Sequence, residues 1–375
     1  MKKIHSIFPK RALAMLAVVA VATVNLSLRA APLQGYTVTN LVSDLPALAT
    51  NVDPNLLNPW GLTFDETGDL FVADNAINLT SFYGSDGSII PFTINAGTAP
   101  TAIEYNIYTN DFLIGPTLIP STNLVPAELL IGTQSGTILG FSLSVSFNTA
   151  VVAVNDSASG AVYTGLTLAQ YHGKEYLYAA DFYNGKIKVY DAGFNFVNSF
   201  TDPHMTAGYA PFNVRNIAGF LFVTFAKQST PPGITDQPGA GNGFVEIFTP
   251  GGVLVERLVS HGNLNSPWGI TYVPFTFGKL GGTLLVGNHG DGRINAYDPI
   301  FGNFIGTLDD TTGKAITLPG LWSLSMTPHI NAAGDDDCDN PLNSNLYFTS
   351  GPNQTNGIIG LIQPVKSSPF PIICR

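Results

Sequence analysis

The stretch NPWGLTFDETGDLFVADNAINLTSFYGSDG, residues 58–87, is written again about 200 residues later as NSPWGITYVPFTFGKLGGTLLVGNHGDGRINAYDP, residues 265–299. Each version reads Pro-Trp-Gly, a short apolar strand, a turn, a second strand closing on Val-(Ala/Gly)-(Asp/Asn), a polar turn and a third strand. A phrase repeated at this distance is the mark of a repeat architecture. Working outward, the chain divides into strand quartets that open near Pro59, Thr101, Tyr163, Pro211, Pro267 and Pro319. The strands are short and rich in β-branched and aromatic residues, with Gly, Asp or Asn between them.

The sixth quartet stops one strand short, after LWSLSMT, NLYFTS and GIIGLIQP. The segment GYTVTNLVSD near residue 36 resembles the outer strands of other quartets and can supply the missing one. That would close the ring and cover an open edge. The expected fold is therefore an all-β, six-bladed β-propeller with four-stranded blades, closed by its N-terminal strand. A pair of β-sandwiches is the competing architecture.

Residues 1–30 form a separate unit. A basic start, MKKIHSIFPKR, precedes the apolar run ALAMLAVVAVATV and small residues, which reads as a secretory signal. A retained anchor is the alternative, although the run is short for a span. The expected organisation is a signal over 1–30, one propeller over 31–364 and a tail over 365–375. The expected location is the periplasm or the medium, and the expected state is a monomer without a membrane span in the mature chain. Five of the 16 Lys and Arg lie in residues 1–30 and none of the 26 Asp and Glu, so the remainder carries a net charge of −15. Such a surface repels phosphate polymers and excludes nucleic acid as a partner. The two cysteines, Cys338 and Cys374, both fall on lower-face segments of the sixth blade and are expected to pair in an exported chain.

Propeller topology sorts the polar residues. The loop before each innermost strand and the loop between strands two and three share the upper face. Asn58, Asn75, Tyr183, His204, His261, Asn288, His289 and Asp291 fall there as candidate ligand-binding residues. Asp74, Asp181 and Lys227 are the candidate catalytic groups on the same face. The insertion KQSTPPGITDQPGAGNG, residues 227–243, rises beside them and has the length and pattern of a binding loop. Asp74, Asp181 and Asn288 hold matching places after strand two, where turn capping is the simpler role. Trp60 and Trp268, also matched, are expected to pack between neighbouring blades.

Two metal readings remain open. His204, His261 and His289 could converge on a transition metal at the channel mouth, although no two of them have metal-motif spacing. Asp335, Asp337 and Asp339 alternate in a loop that could hold a structural calcium, with a solvated acidic turn as the preferred reading. No cofactor is certain, and a divalent metal, calcium or a transition metal, is the one these residues could hold. The sequence contains no nucleophile elbow, CxxC, HExxH or Walker lysine.

The Pro-Trp-Gly segments and GNHGDGRINAYD resemble a family of exported bacterial proteins of uncharacterised function. More distantly the repeats look like NHL-type six-bladed propellers. That resemblance implies the fold, and a group that includes gluconolactonase-like hydrolases, streptogramin-type lyases and amidating lyases, many with a central divalent metal. Fold alone does not fix chemistry. The leading expectation is a propeller that binds a small molecule, polysaccharide or protein on its upper face. The alternatives are a metal-dependent lyase or hydrolase at the channel mouth, and a structural envelope or matrix protein.

Overall fold

A computed structural model describes residues 35–115, 124–230, 233–327 and 345–365. Six antiparallel sheets stand around one axis, five of them four-stranded and the sixth extended to five strands by Asn51–Val52, which pairs parallel with the N-terminal strand. Their innermost strands begin at Pro59, Pro100, Tyr163, Tyr209, Pro267 and Leu321. Neighbouring innermost strands pack side by side around the whole ring, the last against the first. The strand Tyr36–Ser43 pairs antiparallel with Ile358–Pro364, from Tyr36 opposite Pro364 to Ser43 opposite Ile358. It completes blade 6 as its outer strand. The buried Tyr36 hydroxyl anchors it further, donating to the Phe277 carbonyl and accepting from the Leu280 amide, both at 2.9 Å. The signal segment, Asp335, Asp337, Asp339, Cys338 and Cys374 lie outside the described residues. Among the described residues no helix is long and apolar enough to cross a membrane.

The core is divided by the blades. Six apolar clusters fill the six gaps between neighbours, as alternating side chains of facing sheets interdigitate. A seventh lies at the axis: Trp60, Phe182, Ala210, Phe212, Ala226, Trp268 and Trp322. The expectation for Trp60 and Trp268 needs correction here. Both are buried, but they meet over the channel with Trp322 rather than within an ordinary inter-blade gap. The Trp60 and Trp322 rings stack at 3.6 Å, and Trp268 stands edge-on to Trp322 at 6.0 Å. The Trp268 indole N–H crosses from blade 5 to the Thr164 carbonyl of blade 3, at 2.9 Å.

The repeated Pro-Trp-Gly belongs to a two-blade unit. Pro59, Tyr163 and Pro267 open blades 1, 3 and 5, each 104 residues after the one before. The residue two places on is glycine each time. A Cβ at Gly61 would lie 2.9 Å from the Ile103 amide and the Thr101 carbonyl, and one at Gly269 would lie 2.5 Å from the Trp322 carbonyl. These glycines let the next innermost strand approach the backbone closely. The even blade before each answers with a polar side chain. Thr349, Thr101 and Asn213 donate to the carbonyls of Trp60, Tyr163 and Trp268 at 2.5, 2.6 and 3.0 Å.

Candidate functional site

On the upper face the axial tryptophans form a floor, and three elements build a rim on it. The first is the loop before blade 1. Asn58 takes a left-handed backbone, φ 50°, which Asn tolerates better than most residues. Its side chain accepts from the Trp322 indole N–H and donates to Asn75, both at 3.3 Å. Asn75 in turn donates to the Pro100 carbonyl and to Gln134. A chain of amides thus runs from blade 6 to blade 2.

The second element is the turn after strand two of blade 5. Asn288 is wholly buried and structural, bonding the Asn265 amide and the Asn263 carbonyl. It aims the next residue, His289, over the floor. The imidazole stacks on Trp322 at 3.7 Å and 20°, with Nδ1 3.3 Å from the Leu321 carbonyl. Burial pushes its pKa below the usual histidine value, against the pull of the Asp236 carboxylate. The neutral ring with its proton on Nδ1 leaves Nε2 as an acceptor.

The third element is the insertion. Gln228 ties it to blade 3 by donating to the Phe182 carbonyl at 2.7 Å, and the Asn265 side chain accepts from the Gly239 amide at 2.6 Å. Asp236, the single acid in residues 227–243, carries one oxygen buried without a hydrogen-bond partner among the described residues. A buried acceptor left this way costs on the order of 1–3 kcal/mol.

The other upper-face candidates are scattered around the rim. Tyr183 is exposed beside Gly160. His261 has its Nδ1 2.6 Å from the Gly241 carbonyl and its ring against Phe244. His204 is exposed on the loop where Asp202 and Arg257 pair, and its carbonyl accepts from Arg257. Asp291 caps the Arg293 amide, and Lys227 makes no ion pair among the described residues. The three histidines therefore do not share one centre. Among the described residues no group of three or more His, Cys, Asp or Glu is arranged to hold a metal. The donor set does not fit the central divalent ion implied by the resemblance.

Asp74 and Asp181 occupy matching positions with different surroundings. Asp181 accepts from the Val162 amide and the Asn184 side chain, and lies 3.2 Å from the Lys188 ammonium. Lys188 also reaches Asp156 at 2.7 Å, beside the Tyr163 and Tyr190 hydroxyls. Burial works against the Asp156 charge, but Lys188 and the two hydroxyls prevail and hold its pKa below the usual range. Asp74 is fully buried with both oxygens unpartnered among the described residues. Burial, aided by the nearby Asp53 charge, pushes its pKa well up despite the opposing influence of Ser81. Neither aspartate opens on the channel mouth as a catalytic base would need.

Below the floor the innermost strands stand side by side around the axis. A cavity of about 20 Å³, lined by Arg215, Asn213, Trp268 and the innermost strands, has room for a water or two. A cavity of this size takes nothing larger than water.

Fold and site together define a six-bladed β-propeller with an aromatic-floored upper face. By sequence the chain belongs to the family of two uncharacterized proteins of Acanthamoeba polyphaga mimivirus. It is 31% identical to one over 337 residues, covering 86% of this chain and 78% of that protein. To the other it is 31% identical over 345 residues, covering 87% and 85%. No family model matches it. Among solved structures it is similar to streptogramin B lyase, at TM-score 0.51 and 11% identity over 88% of this chain and 98% of that one. It is also similar to a protein of unknown function from Bacteroides thetaiotaomicron, at TM-score 0.54 and 10% identity over 88% and 76%. At these identities the likeness is one of fold.

Proposed function

We propose that the protein is an exported, monomeric binding module whose upper face takes a donor-rich small molecule, such as a saccharide, over His289 and Trp322. The observations that carry this are the unpartnered, buried oxygen of Asp236 and the stacking of His289 on Trp322, with the carboxylate within electrostatic reach of the imidazole. Two acceptors on one face call for O–H or N–H groups from a ligand, and the Asn58–Asn75–Gln134 amides can receive the rest of it. A second reading has one specific observation in its favour. A neutral imidazole within electrostatic reach of a carboxylate can serve as a general base, so a hydrolase or lyase acting at the same place is the alternative.

Titration calorimetry of the purified protein against mono- and oligosaccharides and small amines tests binding. Asp236→Asn and His289→Ala are expected to weaken it at least tenfold without changing the melting temperature by much. Binding that survives both substitutions would sink the proposal, and turnover lost with His289→Ala would promote the alternative. Export is tested by recovering the protein outside the cytoplasm with its N-terminus near residue 31.

A further inference from the structure

Blades 1 and 3 are built alike at one spot between the sheets, and the likeness can be followed residue by residue. Asp74 and Asp181 each end strand two, opposite Pro59 and Tyr163 on one side and Leu79 and Lys186 on the other. Counting along strand three from those partners, Ser81 stands where Lys188 stands, and Tyr83 where Tyr190 stands. A second carboxylate arrives from the preceding connection in both, Asp53 in one and Asp156 in the other. The tyrosines bind these alike: Tyr83 donates to Asp53 at 2.9 Å and Tyr190 to Asp156 at 2.5 Å.

The difference is the countercharge. In blade 3 the Lys188 ammonium lies between the two carboxylates. In blade 1 the lysine is a serine. Asp53 and Asp74 are 5% and 0% exposed, and neither has an ion pair among the described residues. Both Asp74 oxygens and the Ser81 hydroxyl are buried without a hydrogen-bond partner among them. Blade 5 resolves the same position differently, with neutral Asn288 and Asn295 both donating to the Asn263 carbonyl. Two buried carboxylates without a cation are costly, and the surrounding oxygens are all hard donors.

We propose that blade 1 binds a hard cation, Ca²⁺, between Asp53 and Asp74, with the Ser81 hydroxyl as a further ligand, in the place that the Lys188 ammonium fills in blade 3. Carboxylate and hydroxyl oxygens with water in the remaining positions suit calcium's flexible coordination. The site is distinct from the upper-face ligand site and does not depend on it. Its position gives it a structural role. The Asp53 amide donates to the Ser43 carbonyl of the ring-closing strand, and residues 51–52 pair with residues 42–43. A cation held by Asp53 and Asp74 ties that closing segment to blade 1.

The test uses the full chain, stripped with EDTA and melted with and without millimolar CaCl₂. At a hundredfold excess over Kd, linkage raises the melting temperature by about 4 °C for a ring of this size. Ser81→Lys, which copies the blade 3 solution, is expected to abolish the calcium response while melting in EDTA no lower than the calcium-loaded parent. Asp74→Asn, a smaller change, is expected to abolish it too without losing stability in EDTA. A variant with Asp335→Asn, Asp337→Asn and Asp339→Asn is expected to keep the response. A parent protein indifferent to calcium would show that a proton alone relieves the pair. A response that persists in Asp74→Asn, or vanishes with the loop variant, would put the ion elsewhere. Each of these results overturns the proposal.

Discussion

Lys188→Met is the substitution that asks most of the structure. The ammonium is 7% exposed and stands between Asp156, 29% exposed, and Asp181, 0% exposed. Removing one partner of a buried ion pair and leaving the others charged costs about 3–5 kcal/mol. Asp181 keeps the Val162 amide and the Asn184 side chain, and Asp156 keeps two tyrosine hydroxyls. These donors put the expected loss at the lower end, about 3 kcal/mol. Unfolding entropy near 2.1 cal/mol/K per residue over roughly 330 residues converts this to a fall of about 4 °C in melting temperature. The assay is thermal and urea denaturation at pH 7 of Lys188→Met, Asp156→Asn and the double variant. Because the residues share one network, the double variant is expected to recover 0.5–3 kcal/mol relative to the sum of the single losses, as is typical for ~1 contact pair. A loss under about 1 kcal/mol for Lys188→Met, or strict additivity, would refute the reading of this cluster as a desolvated ion pair.

Glu246 gives a pH prediction. Burial, with the Asp202 charge adding to it and Arg257 opposing, pushes its pKa up to about 7. A carboxyl that is protonated in the fold but ionised in the unfolded chain stabilises at acid pH, and that stability is lost as pH rises from the ordinary glutamate range through about 7. Melting temperatures are expected to decline over that interval for this reason, and Glu246→Gln is expected to flatten the decline. At the floor, Trp322→Ala removes a side chain that is 1% exposed and should cost about 3–5 kcal/mol in chemical denaturation. Gly61→Ala should cost about 1–3 kcal/mol, because its methyl group would press on the blade 2 backbone. Deleting residues 36–43 should expose the edge of Ile358–Pro364 and drive association visible by light scattering.

The ring was legible because its signals are local and repeated. Strand alternation and turn residues mark each blade, and the missing outer strand of the sixth quartet pointed to residues near 36. The site was legible only as a face. Loop topology tells which end of the ring His204, His261 and His289 occupy, but not their direction from the axis, and the structure spreads them around it. Trp322 also opens a blade, so topology puts it on the same face as Trp60 and Trp268, but without a Pro-Trp-Gly around it nothing in the sequence marks their contact over the axis. Asp236 sits in an insertion without strand pattern, and what singles it out is being the sole acid there. Lys188 reads as an outward residue of an alternating strand, and only the tertiary approach of Asp156 and Asp181 explains its burial.

Trp60, Trp268 and Trp322 are the three tryptophans of the chain, and all lie in the floor beneath His289. Tryptophan emission is therefore a reporter of that one place. Titrating the ligands found by calorimetry while following emission tests the upper-face site most directly. A saturable shift or quench with the calorimetric affinity, lost in His289→Ala, is the expected result. Binding that leaves the emission unchanged would contradict the assignment of the site.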